Sequence, residues 1–193
     1  MKKRYLLGFD CGTYESKGVI CDNNGKILSI AISKHNLRVP KPGYAEHDPI
    51  DDWWFDFKKI VKELLGKSGI SADEIAGIGI STIMAAITAV DEYCNPLRNA
   101  ILYGIDTRCQ KEADELNLTI GEEKIIEISG ATCNVESFGP KIRWIRDNEP
   151  EVFKRTKHFT IASGFLTAKL TGKYCVDRYS AMKAQPMIDV RDM

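Results

Sequence analysis

Apolar positions along this chain fall into short runs with two different periods. Tyr5 to Phe9 is a continuous apolar run, which predicts a buried strand over residues 4–10 that stops at Asp10. Similar runs predict strands at 17–22 and 26–33, and the Asn23-Asn24-Gly25 turn between them is a strong hairpin signal. After a loop holding Pro40, Pro42 and Gly43, Asp48-Pro49 supplies an N-cap followed by proline at the first helical position. Trp54, Phe57, Ile60, Val61, Leu64 and Leu65 recur at helical spacing and carry this helix to about Lys67. Trp53 lies off that stripe and is expected to pack elsewhere.

Ser71 to Glu74 forms a short capped turn, and strands are predicted at 75–81, 87–90 and 99–103. Asp106 or Thr107 is expected to cap a helix ending near Leu116, and Thr119-x-x-Glu122 reads as a capping box for a helix reaching Ser129. Residues 130–139 read as irregular. Pro140 and Pro150 each open a helix, the first burying Ile142, Trp144 and Ile145. A strand at 158–161 precedes a helix at 163–170 closed by Gly172, and Met187 to Val190 reads as a final strand. The order is β-β-β-α-β-β-β-α-α-α-α-β-α, which predicts an α/β fold with a mixed β-sheet flanked by helices. It is not strict β-α-β alternation, and neither G-x-G-x-x-G nor G-x-x-x-x-G-K-[ST] occurs.

A length of 193 residues suits one domain with room for a small second lobe, and 44% hydrophobic content suffices for a core. Lys plus Arg and Asp plus Glu number 27 each, so composition gives no sign of a nucleic-acid or anionic-membrane partner. Met1-Lys2-Lys3-Arg4 looks like the start of a signal peptide, but Asp10 breaks the apolar run that follows. No apolar stretch reaches membrane-spanning length. Six scattered cysteines without C-x-x-C, and only three histidines, speak against a metal cluster and for a reduced, cytoplasmic protein. Cys11 reads as a small apolar residue rather than a reactive thiol.

The first hairpin carries the candidate chemistry. Asp10 sits beside a tight glycine turn, where backbone N–H groups around Gly12 face an anion. Thr13 and Ser16 add hydroxyl donors, Lys17 adds charge, and Asp10 is placed to take a Mg²⁺ directly or through its waters. A short D-x-G-T stretch is also an ordinary turn, so context has to decide. Glu46-His47-Asp48 reads as a structured loop plus N-cap, while His35 and His158 have no partner in sequence and read as structural or exposed. Lys141 is expected near a helix start.

The context is an ordered set of segments. They are GFDCGTYESKGVICD at 8–22, PGYAEHDPIDDWW at 42–54, GIGIS at 77–81, VDEYCNPLRNAILYGIDTR at 90–108, GPKIRWIRDNEP at 139–150 and TIASGFLTAKLTGKY at 160–174. Together they resemble the N-terminal half of the FGGY family of carbohydrate kinases, xylulokinase-like members being the most similar. The resemblance implies the actin-like ATPase (ribonuclease H-like) fold. It also implies an ATP- and Mg²⁺-dependent kinase in which sugar binds mainly to the N-terminal domain and ATP mainly to a C-terminal one. Residues 1–193 would then be the sugar-binding N-terminal domain, lacking its C-terminal ATP-binding partner and inactive alone. By resemblance, Asp10 belongs to the metal–phosphate end, with Gly12, Thr13 and Lys17 near the transferring phosphoryl group; Ser16 joins this phosphate set from the reading of the turn itself. The general-base Asp of the family lies downstream of the matched region, and family members are often homodimers.

On the sugar side the resemblance points to Met84 and Asp106. Xylulokinases usually have Met-His where this chain has Met84-Ala85, and glycerol kinases Arg-Glu; Ala85 cannot hydrogen-bond a hydroxyl. Asp106 matches a family Asp that binds sugar hydroxyls, although a helix N-cap is the plainer role for it, and Arg108 is expected to orient carboxylates. A ketopentose such as xylulose is the expected substrate. The alternatives are a sugar-independent actin- or chaperone-type ATPase domain and a non-catalytic binding domain.

Overall fold

The computed structural model describes residues 4–192. The chain divides into two compact units, one built from the segment ending at Leu37 together with Asp48–Ile83, the other from Arg38–His47 and the segment from Met84 onward.

In the first unit, β1 (Tyr5–Cys11), β2 (Glu15–Asp22) and β3 (Ile27–Lys34) form an antiparallel meander, and β5 (Ile75–Thr82) joins β1 in parallel, giving the order β3-β2-β1-β5. The Asn-Asn-Gly hairpin forms as expected. The Asp22 carboxylate accepts from the N–H groups of Asn24 (2.8 Å) and Lys26 (2.9 Å), and Gly25 takes a left-handed φ of 82°.

Asp48 caps the following helix by accepting from the N–H groups of Ile50 and Asp51. Its first turn, Pro49–Trp54, is wound wide, with the Phe55 N–H reaching back to the Ile50 carbonyl, before α1 (Phe55–Ser68) proper. The extra residue per turn rotates the register. Trp53, off the expected stripe, is fully buried, whereas Trp54 is half-buried and stacks on Phe57 at 5.7 Å. Ile60 and Leu64 are buried against the sheet at Gly18, where any Cβ would collide with both. Phe9 meets Phe57 edge to face at 5.1 Å, and Gly69 ends the helix at φ 69°. The sheet face away from α1 stays largely open and carries exposed Leu6, Ile30 and Ile32.

The second unit holds a four-stranded sheet, β4 (Glu46–His47), β7 (Ala100–Ile101), β6 (Ile87–Val90) and β8 (His158–Ile161) in that spatial order. Its helices are α2 (Gln110–Ile120), α3 (Glu122–Ser129), α4 (Phe138–Asn148), α5 (Pro150–Arg155), α6 (Ala162–Thr171) and α7 (Arg178–Ala181). Ile87, Ile101, Phe138, Ile145 and Ile161 build its main core, and Ala113, Ile125 and Cys133 a smaller one.

The mixed α/β class is therefore as expected, with four local corrections. Glu46-His47 is a buried strand rather than loop, because it pairs with Ala100–Ile101. Asp106 does not cap α2, which starts at Gln110; its carboxylate is taken up by Ala45 and by Arg108. Thr119 lies inside α2, and Gly121 at φ 93° separates the two helices, so no capping box forms there. Met187–Val190 is not a strand, since nothing pairs with it among the described residues; Val190–Asp192 is a short 3₁₀ turn.

Candidate functional site

The turn between β1 and β2 arises from the pairing of Asp10 with Lys17 and of Cys11 with Ser16. Strand residues alternate between faces, so these two pairs point to opposite sides of the sheet. Asp10 and Lys17 share the open face, and the parallel register sets Ser81 beside Asp10. They line an open depression of about 630 Å³ together with Gly8, Val19 and Gly79. Lys17 Nζ lies 3.1 Å from a Glu15 carboxylate oxygen. The Gly12 N–H donates to the Glu15 carbonyl at 3.0 Å, and a Cβ on Gly12 would stand 2.8 Å from that carbonyl, so glycine is required.

Two expectations about this turn change. Asp10 lies one residue inside β1 rather than at its end, and β2 starts at Glu15 rather than at Lys17, so Ser16 is a strand residue. Ser16 is fully buried beside Cys11 on the helix-covered face, so the structure does not bring it together with Asp10, Gly12, Thr13 and Lys17. Burial pushes the Cys11 thiol up to about 12, which makes it inert. All six cysteines carry free thiols.

His35, unpartnered in the sequence reading, proves central here. Its Nδ1 lies 2.8 Å from an Asp56 carboxylate oxygen on α1, and its Nε2 lies 3.1 Å from the Gly12 carbonyl. Its backbone N–H donates to the Tyr14 carbonyl at 3.0 Å. The other Asp56 oxygen accepts from Ser33 Oγ at 2.6 Å, and Lys59 Nζ donates to that same hydroxyl at 3.1 Å. Burial works against a charged imidazole, but the hydrogen bond and charge of Asp56 prevail and raise the His35 pKa above its ordinary 6.5.

The second unit contains Met84 and Asp106. Asp106 is fully buried and accepts from the Ala45 N–H at 2.7 Å. It also accepts from the Arg108 N–H (3.1 Å), Nε (3.0 Å) and Nη2 (2.7 Å). Arg108 Nη2 lies 2.8 Å from Glu46, which in turn lies 3.0 Å from Arg98 Nη2; Arg98 Nε reaches Glu149 at 2.7 Å. The Arg108 guanidinium stands over the Tyr44 ring at 3.9 Å. Arg108 thus orients carboxylates as expected, and Glu46 and Arg98 are network members that no local motif announced.

Met84 is half-buried in the turn before β6, next to Ala85, which is buried at a left-handed φ of 66°. Lys141, the fourth residue of α4, is fully buried and donates to the Ala85 carbonyl at 3.1 Å. Burial pushes its ammonium down to about 8, opposed in part by the charges of Cys109, Asp106 and Glu136. An unfolded chain keeps this proton up to about 10.5. Between pH 8 and 10.5 the unfolded state therefore binds more protons than the folded one, and stability from this group rises with pH across that window. Chemical denaturation at several pH values should show wild type gaining on Lys141→Met as pH climbs from 8 to 10; a difference that stays flat would refute the buried charge.

Residues 5–193 match the N-terminal domain of the FGGY family of carbohydrate kinases. The chain belongs to that family. It is 31% identical to a xylulose kinase of Lactococcus lactis over 169 residues, covering 87% of this chain and 33% of that protein. It is 34% identical to a glycerol kinase of Beutenbergia cavernae over 145 residues, covering 75% and 28% respectively. Among solved structures, the xylulose kinase from Rhodospirillum rubrum superposes with a TM-score of 0.89 at 26% identity, over 98% of this chain and 38% of that one. The chain thus spans about a third of the length of the curated relatives it matches. The fold of this FGGY chain is the actin-like ATPase fold of its structural neighbours.

FGGY carbohydrate kinases are phosphotransferases, and phosphoryl transfer relies on a divalent cation to neutralise charge. No group of three metal-ligating side chains occurs among the described residues. Asp10 has one hydroxyl, Ser81, beside it in register. A single carboxylate with polar neighbours on an open face fits Mg²⁺ that keeps several waters and shares phosphate oxygens, not an all-protein cage. The Lys17 ammonium, half-exposed beside Glu15, adds anion-binding capacity on the same hairpin, whereas the Gly12 N–H is already taken by the Glu15 carbonyl, contrary to the expectation that it faces an anion.

Proposed function

We propose that this FGGY chain is the N-terminal, sugar-binding portion of an ATP-dependent carbohydrate kinase that phosphorylates a hydroxyl of a ketopentose such as xylulose. The observation that carries the reading is the register of the first hairpin. It sets a carboxylate, Asp10, and an ammonium, Lys17, side by side next to the tight Gly12 turn, in a chain matching the family over residues 5–193. Asp10 would hold Mg²⁺, directly or through water, and the cation would neutralise charge on the transferring phosphoryl group. Thr13 and Lys17 would bind and orient that group's oxygens, with Gly12 allowing the tight turn that presents them; this is the positioning that phosphoryl transfer chiefly requires.

The sugar would be bound by the second unit, with Met84 lining its pocket. Similarity to xylulose kinases supports the ketopentose. Asp106 would act through the Arg108–Glu46 network that shapes this unit rather than by direct contact, because its oxygens are already taken up by Ala45 and Arg108. The adenosine-binding domain and the general-base Asp would lie in a C-terminal part, as the share of the relatives covered suggests. Six free thiols suit a reducing compartment. No helix among the described residues is long and apolar enough to cross a membrane.

The test is sugar-dependent ADP release by the complete gene product with MgATP and a panel of ketopentoses, polyols and sugar acids. Turnover with ketopentoses alone is expected. Turnover confined to glycerol would replace the substrate but keep the kinase, and sugar-independent hydrolysis would overturn both.

A further inference from the structure

We propose that His35 is a positioning residue for the phosphate turn, donating from Nε2 to the Gly12 carbonyl while Asp56 on α1 holds its other ring nitrogen. This role presupposes the phosphate-facing turn of the proposed function. Both groups facing the ring accept hydrogen bonds: a carboxylate at 2.8 Å and a carbonyl at 3.1 Å. Only the imidazolium, with a proton on each nitrogen, can donate to both. A neutral ring would set a lone pair against one of the two acceptors.

The clamp is built from the helix outward. Asp56 is itself fixed, since its second oxygen accepts from Ser33 Oγ, which in turn is held by Lys59 Nζ. His35 follows β3 directly, so its backbone is set by the sheet, and its N–H also donates to the Tyr14 carbonyl. The turn between Cys11 and Glu15 is therefore tied to His35 at two of its carbonyls, those of Gly12 and Tyr14. A turn held only by the Gly12–Glu15 bond would sample more conformations, and small displacements of phosphate-binding groups are costly to transfer. The charged groups acting on the ring are Asp56 on α1 and Asp52 in the wide turn before it, with Lys59 one hydrogen bond further out on Ser33 Oγ.

A purely structural brace would alter stability without singling out the nucleotide. The experiment therefore compares His35→Gln, His35→Asn and His35→Phe in the complete gene product, reading KM for MgATP, KM for sugar and thermal unfolding. Glutamine can place a donor where Nε2 stands, toward Gly12; asparagine can place one only where Nδ1 stands, toward Asp56. The asparagine and phenylalanine variants are expected to raise KM for MgATP about tenfold or more, with the sugar KM unchanged and the glutamine variant largely rescued.

The wild-type MgATP KM should climb as rising pH discharges the imidazolium above its raised pKa, and that pH dependence should vanish in His35→Gln. Should the phenylalanine variant fail to fold, the glutamine–asparagine contrast decides alone. Equal MgATP KM values in those two variants would overturn the role. Asp10→Ala separates the two failures. If it abolishes turnover while the His35 variants leave KM for MgATP unmoved, only the His35 role falls. If Asp10→Ala is also without effect, the phosphate turn itself falls.

Discussion

Replacing Asp10 with alanine in the complete gene product is expected to lower kcat for sugar-dependent ADP release by about 10³-fold or more, on the scale of removing a main electrostatic group from a transition state. The reason lies in the register of one hairpin. Asp10 stands opposite Lys17 and beside Ser81 on the open sheet face, next to a turn where no residue but glycine fits at position 12. It is the one carboxylate among the residues lining that depression, so no neighbour there can substitute for it toward a cation. Asp10 is only half-buried, and its loss should leave the unfolding midpoint nearly unchanged, within about 0.5 kcal/mol. Steady-state kinetics beside thermal unfolding make the check. A variant that keeps more than about a tenth of wild-type kcat would remove Asp10 from the chemistry.

Asp106→Ala is expected to act on the opposite quantity, costing about 3–5 kcal/mol of stability, the usual penalty for breaking a buried ion pair by deleting one partner. Asp106 is fully buried, and its two oxygens accept four hydrogen bonds, one from Ala45 and three from Arg108 among the contacts given above. Alanine would strand the Ala45 N–H and leave Arg108 to Glu46 alone, which already serves Arg98. Urea unfolding, read at the midpoint with an unchanged m-value, gives the measurement. A midpoint that stays put while the sugar KM rises would make Asp106 a ligand instead of a keystone of the second unit.

The contrast between these two aspartates separates what is local from what is not. Asp10 was legible because its surroundings are consecutive in the chain: an apolar run, a carboxylate, a glycine turn and a second strand. Strand period and turn chemistry act over a few residues, so they placed the hairpin correctly. The same locality misassigned Ser16. Its distance from Asp10 along the chain is short, but β2 begins two residues earlier than expected, and alternation turns Ser16 to the covered face. Asp106 looked like a cap because caps are local; besides Arg108, two residues on, its partner is Ala45, 61 residues away.

His35 shows the converse. Alone in sequence it had no chemistry to offer, and its partners Asp56 and Gly12 lie 21 and 23 residues off on different elements. The sequence by itself determined the α/β class, the first hairpin and membership in a sugar-kinase family, because those depend on short-range periodicity and on ordered motifs. Only the tertiary structure decided which buried charges meet: His35 with Asp56, and Arg108 with Asp106 and Glu46. Whether a carboxylate supports the fold or faces a substrate depends on the groups that enclose it, and packing brings those groups together from distant parts of the chain.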